Sequence, residues 1–189
     1  FIAGCGTGKH IFIAQNYLNA KMLVVDLSKT SLAYAKRKVE QSGNDNVEFL
    51  HADILELKNL NRKFDIIESV GVLHHMKNPL KGLEVLLNFL EPHGYLKLGL
   101  YSQIARQGLL KIKKFAEKNK LKGTVEDIKN FRKLLIYDEK KEHLFYQVTS
   151  SGDFYSTSSV RDLIFHVQEH RFTLLQIKKA LNDDEISIP

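Results

Sequence analysis

A chain of 189 residues with 43% hydrophobic and 26% charged side chains suffices for about one domain with a core of its own. One cysteine, Cys5, excludes an internal disulfide framework and points to a reducing, cytoplasmic setting. No apolar run approaches the roughly 18 residues of a membrane-spanning helix, so no membrane partner is expected. The formal charge of +6 gathers between residues 101 and 150, around Lys111, Lys113, Lys114, Lys118, Lys120 and Lys122. No aromatic-rich RNA-binding pattern accompanies these lysines. They read as a solvated helix face, and nucleic acid is not the expected partner.

The chain opens at Phe1, within what reads as a strand, so a fragment truncated at both ends is expected, with a partner or repeat domain outside it. Ile11, Ala14 and Leu18 follow at helical spacing. Met22 to Leu27 is a short apolar run closed by Asp26, the pattern of a strand buried on both faces. Ser28 then caps a helix with Leu32, Ala35 and Val39 inward, ending at Gly43. Val47 to Leu50 reads as a third strand, with a polar turn around Asp53, and Phe64 to Val70 as a fourth. Pro79 suits the first turn of a helix whose Leu83, Leu86, Leu87 and Leu90 face the core. Pro92 and Gly94 read as a break before a fifth strand, Tyr95 to Leu100. Residues 104–119, 124–136, 158–168 and 173–182 look helical. Alternating strands and helices predict an α/β fold, a doubly wound and mostly parallel sheet over residues 1–101, with a helical extension over 102–189.

The loop Ala3-Gly4-Cys5-Gly6-Thr7-Gly8-Lys9-His10 joins a strand to a helix, where glycines let the backbone approach a ligand closely. A phosphate-binding P-loop needs glycine at Ala3 and Ser or Thr at His10, so that reading fails. A dinucleotide fold wants two residues between the second and third glycines, and only Thr7 separates Gly6 from Gly8. That reading, an NAD(P)-binding oxidoreductase, stays as a minor alternative.

Gly4-Cys5-Gly6-Thr7-Gly8 is similar to the first motif of class I S-adenosylmethionine (SAM)-dependent methyltransferases. The resemblance continues in order through Asp26, Asp53, the Phe64–Pro79 block and Leu90–Leu98, covering about the first hundred residues. It implies a Rossmann-like fold, SAM as cofactor and a methyl acceptor that the sequence does not name. The implied cofactor-binding residues are Gly4, Cys5, Gly6 and Gly8 of the loop, Asp26 and Leu27 at the ribose, Asp53 and Ile54 at the adenine, and Glu68 and Ser69 beside the reacting end. Family members often carry an acidic residue two positions before the first glycine. Ile2 stands there, so loop carbonyls, Glu68 or a residue outside the chain must hold the methionyl ammonium.

Gly71 lets cofactor or substrate come close, and His74 and His75 are candidate general bases, although one of them packing or capping before Pro79 is the plainer reading. Cys5 reads as a small loop residue, since nothing basic is placed to activate it. No Asn/Asp-Pro-Pro-Tyr stretch follows the fourth strand, which argues against amino methylation of DNA bases or glutamine. No metal-ligand spacing occurs, and no metal is expected.

The region after the fifth strand resembles that of bacterial methyltransferases, some carrying tetratricopeptide repeats, at Leu98–Ser102, Asp153–Thr157 and Phe165–Arg171. Tyr101, Arg106, Tyr155, His166, Glu169, His170 and Arg171 are expected to roof the site and choose the acceptor, against the plainer reading of a packed helical cover. A non-catalytic binding domain that keeps the nucleotide fold remains the alternative of a different class.

Overall fold

The computed structural model describes residues 1–14, 17, 19–137, 146, 148–166 and 168–182. Two compact units divide it. The first comprises Phe1–Leu100 and the last helix from Lys178 onward; the second is Tyr101–Ile177.

In the first unit five parallel strands stand in the order β3-β2-β1-β4-β5: β1 Ile2–Ala3, β2 Met22–Asp26, β3 Val47–His51, β4 Phe64–Val70 and β5 Leu90–Gly99. Helices α1 (Lys9–Ala14) and α2 (Lys29–Gln41) make the crossovers that step the chain from β1 to β2 to β3. From β4 to β5 the chain steps the opposite way, through α3 (Pro79–Leu87). Right-handed crossovers stepping in opposite directions put their helices on opposite faces of a parallel sheet. The order therefore reverses between β1 and β4, the position at which a doubly wound sheet offers a ligand site outside the C-terminal ends of its strands.

The core under α1 and α2 is Ile2, Cys5, Ile11, Ala14, Met22, Val24, Leu32, Ala35 and Val39. Each fully buried aliphatic side chain of this kind contributes about 1.5–3 kcal/mol. Leu18 lies outside the described residues. Ser28 caps α2 through its hydroxyl, which accepts from the Ser31 N–H, and Gly43 follows the helix at a φ of +69°.

Two expected boundaries are corrected. Leu90 does not belong to the preceding helix: α3 ends at Leu87, and Leu90 opens β5. Pro92 and Gly94 do not precede that strand but lie in an irregularity inside it. Phe64 pairs with Leu90 and Ile66 already with Tyr95, so five steps along β5 match two along β4. His93 takes a φ of +67° there, and because β5 is an edge strand, the missing N–H of Pro92 breaks no ladder.

The second unit packs α4 (Gln107–Lys118), α5 (Val125–Ile136), a short 3-10 turn at Gly152–Tyr155 and α6 (Thr157–Phe165) around Ile112, Ile128, Phe131, Phe154, Val160 and Ile164. Thr124 and Asp127 cap α5 reciprocally, each side chain accepting the other's backbone N–H. The expected helix 158–168 ends at Phe165, where His166 turns to an extended backbone, and Val167 lies outside the described residues. The final helix α7 spans Leu174–Asn182.

Candidate functional site

The glycine loop turns back over the end of β1. The N–H groups of Gly4 and Cys5 both donate to the Val25 carbonyl, at 2.8 and 3.2 Å, which ties the loop to β2. Gly4 and Gly6 have φ of +83° and +51°. A Cβ on Gly4 would lie 2.2 Å from a Val72 methyl, so the β1 and β4 loops meet there with no room for a side chain. At Gly6, and at Gly71 after β4 (φ +80°), an added Cβ would meet nothing within 4 Å. At Gly6 and Gly71 the two loops thus present bare backbone to open space, the form a ligand cradle takes.

Asp26 ends β2 with its side chain turned to this loop. Oδ2 accepts the Gly6 N–H at 2.8 Å and Oδ1 accepts the Ser28 N–H at 2.8 Å. The carboxylate is half-buried, and each oxygen has a second lone pair for a further donor. Next to it Leu27 is 65% exposed, an apolar side chain in water beside a fixed acid, while its carbonyl is bonded to His51 Nε2 at 2.9 Å. Asp53, expected at the adenine, caps the 3-10 turn Ile54–Asn59 by accepting the Leu55 N–H at 2.9 Å, with Ile54 buried behind it.

Cys5 is 4% exposed, and burial, reinforced by the neighbouring Asp26 charge, pushes its thiol up to about 12. It stays a neutral thiol at any physiological pH and acts as a small apolar residue.

Glu68 occupies a position that its sequence spacing does not reveal. It is 2% exposed, and its Cα is the register partner of Ile2 on β1. Register partners on neighbouring parallel strands point to the same face, so the acid absent at Ile2 stands one strand over, at the same level. Glu68 Oε1 accepts the Tyr17 hydroxyl at 3.2 Å and Oε2 accepts Lys97 Nζ at 3.1 Å. His10 Nδ1, 3.6 Å from Oε2, is buried with no hydrogen-bond partner of its own. Ser69, the adjoining candidate, is fully buried. His74 is also fully buried and His75 half-buried, their rings 4.3 Å apart and tilted edge to face.

In the second unit, four of the seven expected residues come together. Glu169 binds Arg106 (Nη1 to Oε2, 3.2 Å) and Arg171 (Nε to Oε1, 3.7 Å), and the Arg106 guanidinium lies 3.1 Å from the centre of the Tyr101 ring. Lys113, not singled out beforehand, also reaches Glu169 Oε2 at 2.9 Å. The Tyr101 hydroxyl donates to Asp162, and burial first, then the Asp162 charge, pushes this phenol up to about 12. Tyr155 instead packs edge-on against Phe154 and is 73% exposed. The ring of His166 accepts the Gln168 N–H, and His170 is half-buried.

Among known proteins, an uncharacterised protein of Synechococcus sp. is 36% identical over 106 residues, 55% of this chain and 25% of that protein. The demethylmenaquinone methyltransferase of Clavibacter sepedonicus is 34% identical over 92 residues, 49% of this chain and 36% of that enzyme. The structure of PKMT2 from Rickettsia typhi in complex with AdoHcy superposes with a TM-score of 0.79 at 21% identity, covering 97% of this chain and 38% of that one. At that identity the likeness is one of fold, and it extends through the helices after β5. The chain thus spans between a quarter and two fifths of the length of these relatives. The model of the methyltransferase domain matches residues 3–172, from the glycine loop to just before the final helix. Since that match takes in nine tenths of the sequence rather than one loop, the chain belongs to the methyltransferase domain family, within the class I SAM-dependent methyltransferases.

Proposed function

We propose that this chain is the catalytic domain of a cytoplasmic methyltransferase that uses SAM to methylate a small molecule or a protein side chain. The observation that carries the reading is the end of β2, where a carboxylate held by two backbone N–H groups stands beside a leucine that is 65% exposed. An acid with spare acceptor capacity suits a ribose diol, and an exposed apolar side chain next to it suits a purine face.

On this reading Asp26 and Leu27 hold the nucleoside, Asp53 and Ile54 border the adenine, and the tight loop Gly4, Cys5, Gly6 and Gly8 lies along the cofactor, with Gly6 leaving open space for its close approach. Glu68, with Ser69 beside it, takes over the methionyl ammonium from the missing acid at Ile2. The cofactor, when bound, supplies an electrophilic methyl group on a sulfonium. The work left to the protein is alignment and exclusion of water. Gly71 leaves the acceptor room at the end of β4. Of the two histidines, His75 is the one placed to exchange a proton with an acceptor, because the ring of His74 has no solvent-exposed surface.

The test is transfer of label from methyl-labelled SAM to a component of cell extract. The expected result is a labelled acceptor that is absent with heat-inactivated protein. Saturable binding of S-adenosylhomocysteine (SAH) without any transfer would make the chain a non-catalytic binding domain.

A further inference from the structure

The polar cluster of the second unit carries more positive charge than its own carboxylates use. Arg106, Lys113 and Arg171 converge on the single carboxylate of Glu169, and all four side chains are largely withdrawn from water: 12%, 18%, 28% and 6% exposed. Asp162, the other acid of this neighbourhood, accepts the Tyr101 hydroxyl. Arg106 also stands at the start of α4, whose first turn contains no acidic side chain.

Among the described residues, holding three cations at 12–28% exposure on the one carboxylate of Glu169 is unfavourable, because half-desolvated like charges repel one another and a single carboxylate offsets only one of them. An internal ion pair built only for stability needs one cation. Here Glu169 Oε2 is shared by Arg106 and Lys113, and Arg171 touches Oε1 only through Nε at 3.7 Å. The remainder of the Arg171 fork has no other partner among the described residues. A planar fork and an ammonium group, both held by the same carboxylate, form a preorganised receptor for an oxyanion.

We propose that Arg106, Lys113 and Arg171, organised by Glu169, bind the carboxylate or phosphate group of a small anionic molecule, at a site the second unit carries by itself. The cations are too recessed to track a polynucleotide backbone, which needs them projecting along a surface. The exposed lysines of α4, such as Lys118, are of that projecting kind and are not part of the site.

Calorimetric titration of the 189-residue chain with inorganic phosphate, and separately with acetate, at constant ionic strength tests this. Each protein is also titrated with SAH. Saturable binding of one or both anions is expected for wild type and for Lys118→Gln, weakened at least tenfold by Lys113→Gln and by Arg171→Gln, and largely recovered in Arg171→Lys. SAH binding is expected to be unchanged in all of them, and helical circular dichroism and melting temperature equal to those of wild type show that the variants are folded. Absence of saturable binding of either anion by wild type, or equal affinity in both glutamine variants, overturns the proposal. Anion binding with this pattern but no SAH binding by wild type would leave the site standing and remove the methyltransferase reading instead.

Discussion

Both carboxylate oxygens of Asp26 accept backbone N–H groups, from Gly6 and Ser28, so replacing it by alanine releases the glycine loop as well as removing the acceptor proposed for the ribose. Glu68 permits a cleaner experiment, because its proposed ligand is the amino-acid end of the cofactor alone. Glu68→Gln keeps the shape and removes the charge. It is expected to weaken SAH binding by about 10- to 100-fold, the worth of a charge-assisted hydrogen bond of about 1.5–3 kcal/mol. Binding of 5′-methylthioadenosine, which lacks the ammonium, should be unaltered. Equal losses for both ligands would show that Glu68 acts by shaping the fold. Cys5 gives a pH test. Its thiol is raised from 9.0 to about 12, so the unfolded chain ionises first and binds fewer protons than the folded one between these values. Stability contributed by the neutral thiol is therefore complete below pH 9 and is lost as pH rises toward 12. The melting temperature of wild type should fall more steeply over this window than that of Cys5→Ala, and iodoacetamide at pH 8 should label the folded protein far more slowly than the denatured one.

At the scale of elements, the loop between β1 and α1 depends on two glycines for different reasons. Gly4→Ala places a methyl group 2.2 Å from Val72 at a φ of +83°, and steric overlap with left-handed strain is expected to cost about 3 kcal/mol. Gly6→Ala meets no neighbour and is expected to cost only about 1 kcal/mol, its main effect being weaker SAH binding. Thermal melts beside calorimetry separate the two, and equal destabilisation would contradict the account. Elements of this unit were legible where local pattern and burial agree: the apolar run of β2, the Ser28 cap and the inward stripe Leu32, Ala35 and Val39. The β5 boundary was not, because Pro92 and Gly94 are chain breakers in isolation and become a tolerated irregularity only on an edge strand. The candidate site divides along the same line. The glycine loop and Asp26 were readable from spacing, whereas the Asp26 latch onto Gly6 requires a left-handed turn 20 residues away. The alignment of Glu68 with Ile2 comes from strand order, and Lys113 joins Glu169 across 56 residues. Contacts set by topology leave no trace in sequence spacing.

For the whole molecule, the order β3-β2-β1-β4-β5 fits the proposed place of cofactor binding. Only between β1 and β4 does the direction of crossover reverse, and the glycine loop leaving β1 there is latched to the carboxylate of Asp26 at the end of the neighbouring β2. The second unit has a separate core that includes Phe131 and Phe154, and a polar cluster around Glu169. Among the described residues no helix is long and apolar enough to cross a membrane. The most direct test of cofactor binding at the end of β2 is calorimetric binding of SAH to wild type and to Leu27→Asp, with NADH as control, since the Leu27 side chain is 65% exposed and its replacement is expected to leave the fold intact. The predicted result is saturable SAH binding by wild type, none of NADH, and at least tenfold weaker SAH binding by Leu27→Asp at an unchanged melting temperature. Binding of NADH in place of SAH, or of neither by the folded chain, would contradict it.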